Sequence, residues 1–199
     1  QEYLAANHID PVDVSLITVS TSWSGVITDR VIFVDPGVAD YQSLIAHAGT
    51  SATIVVLDAH TDGVGQIHDY LINSNGLIST VDIISHGEAG VLYLGSTTLS
   101  SQNIVQYEDV LSDIGHQLTQ DANILLYGCY VAAGQAGQRF IDRLAELTGT
   151  DVVASTNLTG AATLGGDWVL EAVSTDGEVR ADALQIPAYQ GALVTITGN

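Results

Sequence analysis

Five short runs of apolar and β-branched residues punctuate the chain: Val31 to Val34, Thr53 to Leu57, Val81 to Ile84, Asn123 to Tyr127 and Asp151 to Ala154. Their near-continuous apolarity, in place of an in-out alternation, is what a strand covered on both faces requires. The stretches between them repeat at helical spacing. Ile104, Tyr107, Leu111, Ile114 and Leu118 fall three and four apart, and Phe140, Leu144 and Leu147 define a second helix, expected over about 134–148 and stopped by Gly149. Strand and helix in alternation predict an α/β fold of three α-β-α layers around a mainly parallel sheet, joined by right-handed crossovers.

Two segments break this rhythm. Gly90 to Leu99 and Gly165 to Val173 carry short β patterns beside Gly, Ser and Thr, and read as small hairpin insertions. Residues 1–29 read as an N-terminal arm with some alternation over Val14 to Val19, residues 30–175 as the α/β domain, and residues 176–199 as a turn and tail leading toward a following domain. The chain starts without Met and without the basic start and apolar block of a signal peptide, as expected of a piece of a longer polypeptide.

Composition narrows the function. With 199 residues, 46% hydrophobic, there is enough material for one domain with a substantial core. Acidic residues outnumber basic ones 23 to 4, Lys is absent, and the net charge is −19. A basic face for nucleic acid is thereby excluded, and no run of about 18 apolar residues offers a membrane insertion. The balance suits a secreted or cell-surface setting. A single cysteine, Cys129, rules out an intramolecular disulfide and any Cys-based zinc or iron–sulfur site.

In open parallel sheets, ligand-facing residues sit in the loops after the carboxyl ends of the strands. That rule selects Asp35, Asp58 with His60, His86 with Glu88, Cys129, and Ser155 with Asn157. Two strands end in a chemically active residue beside a glycine: Ser85-His86-Gly87 and Tyr127-Gly128-Cys129. If those strands are neighbours, the thiol and the imidazole share one rim. The N-terminus of the following helix would favour a Cys129 thiolate, His86 would serve as acid and base, and the N–H groups of Gly87 and Cys129 would form an oxyanion hole. Asp35, Glu88, Ser155 and Asn157 remain as candidates for a substrate pocket.

The His-Gly and Gly-Cys strand ends, 43 residues apart, make the chain resemble the caspase, gingipain and legumain superfamily of cysteine peptidases, where caspases show a spacing of about 50. The resemblance implies a Cys129 nucleophile, a His86 acid/base, no cofactor and a polypeptide substrate. Members that cleave after basic residues carry an Asp two positions before the nucleophile, where this chain has Tyr127, and the caspase pentapeptide is missing. The stretch from about Arg30 to Glu171 also resembles an uncharacterised bacterial domain found near the N-terminus of very large surface or secreted repeat proteins. Its pieces here include Phe33-Val34-Asp35, Asp62 to Ile67 and Gly166 to Glu171.

Three further readings complete the expectations. Asp58, Asp62 and Asp69 have the oxygen spacing of a calcium loop, although His60 stands at a position that normally supplies oxygen and a helix-capping turn explains the same residues. Arg30 and Arg180 flank the domain and are the sites to examine for self-processing of the parent chain. Against the endopeptidase stands a catalytically silent adhesion or processing module on the same scaffold, since a fold does not guarantee an activity.

Overall fold

A computed structural model describes residues 29–48, 51–74 and 78–194. The expected N-terminal arm, with the alternation of Val14 to Val19, lies outside the described residues apart from residue 29. In chain order the elements are β1 (Arg30–Val34), α1 (Tyr41–His47), β2 (Thr53–Val56), α2 (Gly63–Ile72), β3 (Ile78–Ile84), β4 (Gly87–Glu88), β5 (Val91–Leu94), β6 (Thr97–Ser100), α3 (Glu108–His116), β7 (Leu118–Tyr127), α4 (Gly134–Thr148), β8 (Asp151–Ala154) and β9 (Ala172–Val173). All five apolar runs are strands of one six-stranded sheet ordered β2-β1-β3-β7-β8-β9, parallel except for the last pair. The three-layer α/β reading is the fold.

Right-handed crossovers fix which face each helix covers. The step from β1 through α1 to β2 moves one way across the sheet, and every later helical crossover moves the other way. Helix α1 therefore lies on one face, and α2, α3 and α4 on the opposite one. Two apolar clusters follow. The three-helix face buries Val64, Ile67, Leu111, Ile114, Phe140 and Leu144 against Val81, Ile83, Ile124 and Leu126. Buried positions along α4 recur at 137, 140, 141, 144 and 148, and Gly149 takes the left-handed φ of 67° that ends the helix.

The α1 face holds one short helix, and irregular chain finishes the layer. Leu184, Ile186, Tyr189 and Leu193 are buried there with Trp168 and Cys129 against Ile32, Val34, Ile84, Leu125 and Tyr127. The stretch read from sequence as a tail is thus a structural layer through residue 193. It is tied down by Tyr127 Oη accepting from Leu184 N (2.6 Å), by Asn123 Oδ1 accepting from Arg180 N and Ala181 N, and by Tyr189 Oη donating to the Ala39 carbonyl (2.8 Å).

Three local expectations change. Gly90 to Leu99 is a hairpin, and it joins β4 in a separate three-stranded sheet. Gly165 to Val173 is not a hairpin: it pairs at Thr159 with Asp167 and then supplies β9 alongside β8, so the chain ahead of it, not within it, provides the partner. The helical spacing from Ile104 to Leu118 resolves into a 3-10 turn over Ile104–Tyr107, then α3, with Leu118 opening β7. Among the described residues no helix is long and apolar enough to cross a membrane.

Candidate active site

Strands β3 and β7 are hydrogen-bonded neighbours, with Ile84 opposite Tyr127. His86 and Cys129 each lie two residues beyond that pair, so the parallel register brings them to the same rim. Alternation along the strands gives them one face as well, because Ile84 and Tyr127 both point into the α1-side cluster and Cys129 joins it there. The order β2-β1-β3 also makes the gap between the ends of β1 and β3 the point where crossover direction reverses, the usual crevice of such sheets.

Gly87 shows why His must be followed by the smallest residue. A Cβ there would sit 2.5 Å from Val131 Cγ2 and 3.2 Å from the Cys129 carbonyl oxygen, so only glycine lets the β7 loop close over the end of β3. Tyr93 N donates to the His86 carbonyl (3.2 Å), which makes the next pair, Gly87 with Leu92, a pair without hydrogen bonds in the antiparallel ladder. The Gly87 N–H is turned away from the hairpin.

His86 is held by an atom that sequence reasoning missed. Its Nε2 lies 3.0 Å from the Gly37 carbonyl oxygen. A carbonyl only accepts, so Nε2 carries a proton, and in the neutral ring Nδ1 is then the bare nitrogen. Nδ1 is buried and has no hydrogen-bond partner among the described residues. Asp35, placed as a pocket wall from sequence, is 93% buried with both oxygens occupied: Oδ1 accepts from Gly37 N (2.8 Å) and Oδ2 from Gly95 N (2.6 Å). It offers no free carboxylate to a substrate.

Cys129 has no solvent exposure. Its Sγ donates to the Thr159 carbonyl (3.6 Å), which also accepts from Leu193 N (2.9 Å), and Gly160 bridges to Ala192 beside it. The expected thiolate next to a helix N-terminus is therefore corrected. Residues 130–133 separate Cys129 from α4, and burial pushes the thiol pKa up, with the contact to Thr159 opposing. Directly after it, Tyr130 adopts φ 63°, a left-handed conformation unusual for an aromatic residue, and the residue is 44% exposed.

The other pocket candidates brace the loop that carries the thiol. Asn157 O accepts from Tyr130 N (2.8 Å) and Ser155 O from Ala132 N (2.9 Å). The Asn157 amide donates to Glu171 (2.6 Å) and to Asp167 (3.3 Å), and Ser155 Oγ bonds to Asn157 O (3.1 Å). Glu88 is exposed and accepts from the Tyr93 hydroxyl (2.9 Å).

The acidic loop after β2 is a capping turn. Asp62 Oδ1 accepts from Val64 N at the start of α2 (3.0 Å) and from Thr97 Oγ1 (2.6 Å), Asp58 Oδ1 accepts from His60 N (2.6 Å), and Asp69 pairs with His68. Asp58, Asp62 and Asp69 do not assemble into one site, and among the described residues no group of three or more His, Cys, Asp or Glu is placed to hold a metal ion. Arg30, considered for self-processing, lies in the sheet. It begins β1 and forks onto the fully buried Asp82 through two bonds of 2.6 and 2.7 Å. Arg180 keeps a side chain 46% exposed.

The fold and this rim define a three-layer α/β domain with one Cys and one His on adjacent strand ends. Residues 31–193 match a family model described as a domain of unknown function, DUF4347, and the chain belongs to that family. No curated protein matches it.

Proposed function

We propose that the domain is a cysteine endopeptidase of the caspase-like type, with Cys129 as nucleophile and His86 as acid/base, acting on its own parent chain or on a surface partner outside the cell. The observation that carries this reading is the shared rim and face of His86 and Cys129, with His86 fixed as the Nε2–H tautomer. The bare Nδ1 takes the thiol proton, and Sγ attacks the scissile carbonyl carbon. The N–H groups of Gly87 and Cys129 stabilise the oxyanion. His86 then returns the proton to the departing amine, and water, deprotonated by the same nitrogen, cleaves the thioester. No metal or cofactor enters these steps.

The closed thiol belongs to this reading as its resting condition. Substrate entry requires the Thr159–Gly160 segment and the Ala192–Leu193 segment to part over Cys129. The same burial, with the raised thiol pKa, favours a second reading, the silent module that retains a peptidase scaffold. Incubation with a peptide library, mapped by mass spectrometry beside Cys129→Ala, separates them. Cuts missing from the variant support the peptidase. Identical product maps, with a thiol that reacts only after denaturation, favour the silent module. Terminal sequencing of the incubated chain tests self-processing, for which Arg180 is an accessible basic position.

A further inference from the structure

The catalytic reading assigns His86 a fixed tautomer through one backbone carbonyl, and that carbonyl belongs to a loop with no regular structure. A peptide group in such a turn has freedom to rotate, and a rotation would carry its oxygen away from the ring. Two restraints from Asp35 oppose it: Val38 N, in the same peptide group, donates to the Asp35 carbonyl (3.1 Å), and the Asp35 side chain holds the peptide group before it. The Asp35 carboxylate bonds the N–H of Gly37 (2.8 Å), the residue whose oxygen receives His86 Nε2 (3.0 Å), and bonds the N–H of Gly95 in the β5–β6 turn (2.6 Å). Asp35 N is itself tied to the Ile84 carbonyl, two residues before His86 (2.9 Å). Three strand ends thus meet at one buried residue, two of them (β1 and β5) through its carboxylate and β3 through its backbone N–H.

We propose that Asp35 is a positioning residue for His86: by clamping Gly37 between β1 and the hairpin turn, it aims the Gly37 carbonyl and keeps Nδ1 free of its proton. This inference rests on the peptidase reading for its consequence in catalysis, but the clamp itself is a property of the resting molecule. The chemistry requires a carboxylate. Both oxygens accept from backbone N–H groups, whereas an amide has one acceptor and would set its NH2 against the other N–H. Asp35→Asn must therefore release either Gly37 or Gly95, and leaving such a donor unpaired in a buried site is strongly disfavoured.

The test uses the whole chain labelled with 15N-histidine, with His86→Gln identifying the His86 signals. In the native protein at a pH where the ring is neutral, the two ring nitrogens should show the full separation of a pure Nε2–H tautomer. In Asp35→Asn, with circular dichroism unchanged, that separation should fall to about half or less as the tautomers mix, and in an active enzyme kcat should drop about 100-fold with KM within about threefold. A folded Asp35→Asn that keeps the full separation overturns the proposal. Should that variant not fold, Gly37→Ala takes its place, because the added Cβ would approach Asp35 Oδ1 to 2.8 Å and disturb the clamp while leaving the bond to Gly95. Retention of the full separation there overturns the proposal equally. A native chain with a pure tautomer, a tautomer mixture in the variant, and no peptide cleavage by either removes the peptidase reading and leaves the clamp standing.

Discussion

The two faces of the sheet are closed by different means. On one, three amphipathic helices pack their apolar stripes against the strands, and each helix satisfies its own backbone hydrogen bonds. On the other, α1 has help only from chain without regular structure, whose backbone groups must find partners individually: Leu184 N on Tyr127, Arg180 N on Asn123, Ala161 N on Gly191 O. The strand order causes the imbalance, since all crossovers after β2 run in one direction. The candidate site sits on the irregular side. Cys129 belongs to that apolar cluster, and the carbonyl that holds its thiol comes from the same network of single contacts.

The sharpest way to break this comparison is to remove the irregular layer. A chain ending at residue 181 loses Leu184, Ile186, Tyr189 and Leu193, each nearly fully buried. At about 2–5 kcal/mol for an aliphatic truncation alone, the sum exceeds the stability of an ordinary domain. Thermal unfolding monitored by circular dichroism should show no cooperative transition. A cooperative native-like transition would mean that the segment is an appendage.

Next in size is the ion pair under that layer. Arg30→Ala leaves Asp82 buried without its cation and should cost about 3 kcal/mol in a urea titration near pH 7. Burial holds the Asp82 pKa above its ordinary value even with Arg30 present. The proton-binding contribution of Asp82 to stability is therefore full below the unfolded carboxyl pKa and is lost as pH rises through the folded one. The deficit of Arg30→Ala should consequently shrink when the titration is repeated at acid pH, and a constant deficit would show that packing, not charge, dominates.

On the helical face, Leu144→Ala should cost about 3 kcal/mol, and it would enlarge a cavity of about 30 Å³ lined by Val64, Val81, Leu111, Ile124 and Leu144. It should leave the Cys129 alkylation rate unchanged once the loss of global stability is corrected for. Leu193→Ala, of similar cost, should raise that rate about tenfold in native conditions, because the buried Leu193 side chain anchors the segment whose backbone N–H holds the Thr159 carbonyl over the thiol. In the native chain the rate should rise with pH only above the ordinary thiol range, since burial raises the thiol pKa. Equal alkylation rates in the two variants would dissolve the distinction between the faces.

The smallest effect is expected at Tyr130. Replacing it by Gly relieves the left-handed conformation and should stabilise the fold by about 1 kcal/mol or less, measured by urea titration. A loss of stability would instead show that the exposed ring contributes packing of its own.

The two faces also differ in how far they could be read from sequence. The strands, α4 with its Gly149 stop, and the two glycine-flanked strand ends were legible, because continuous apolarity, helical spacing and glycine each record a local constraint. The layer over 178–193 was not. Leu184 and Ile186 are two apart while Ile186, Tyr189 and Leu193 are three and four apart, so no single period runs through the segment, and Gly, Asp and Pro nearby make it look like a linker. The site shows the same division. His86 and Cys129 announce themselves by residue type, whereas the groups that hold them, the carbonyls of Gly37 and Thr159, have no side-chain signature. Asp35 was selected for its place after β1, but its task depends on Gly95, 60 residues away.

The irregular layer also sets the order in which the molecule can be made. The bond from Tyr189 to Ala39 joins positions 150 residues apart, and Leu193 seals a cluster that includes Val34 and Leu44. During synthesis the first strands leave the ribosome long before their cover exists, and one side of the sheet stays wet until nearly the whole domain has been translated. Contacts of such sequence separation close late and slowly. Cys129 therefore spends that interval as an open, ordinary thiol, and it is in the nascent chain, before residue 193 arrives, that its sulfur is most exposed to oxidants and to other chains.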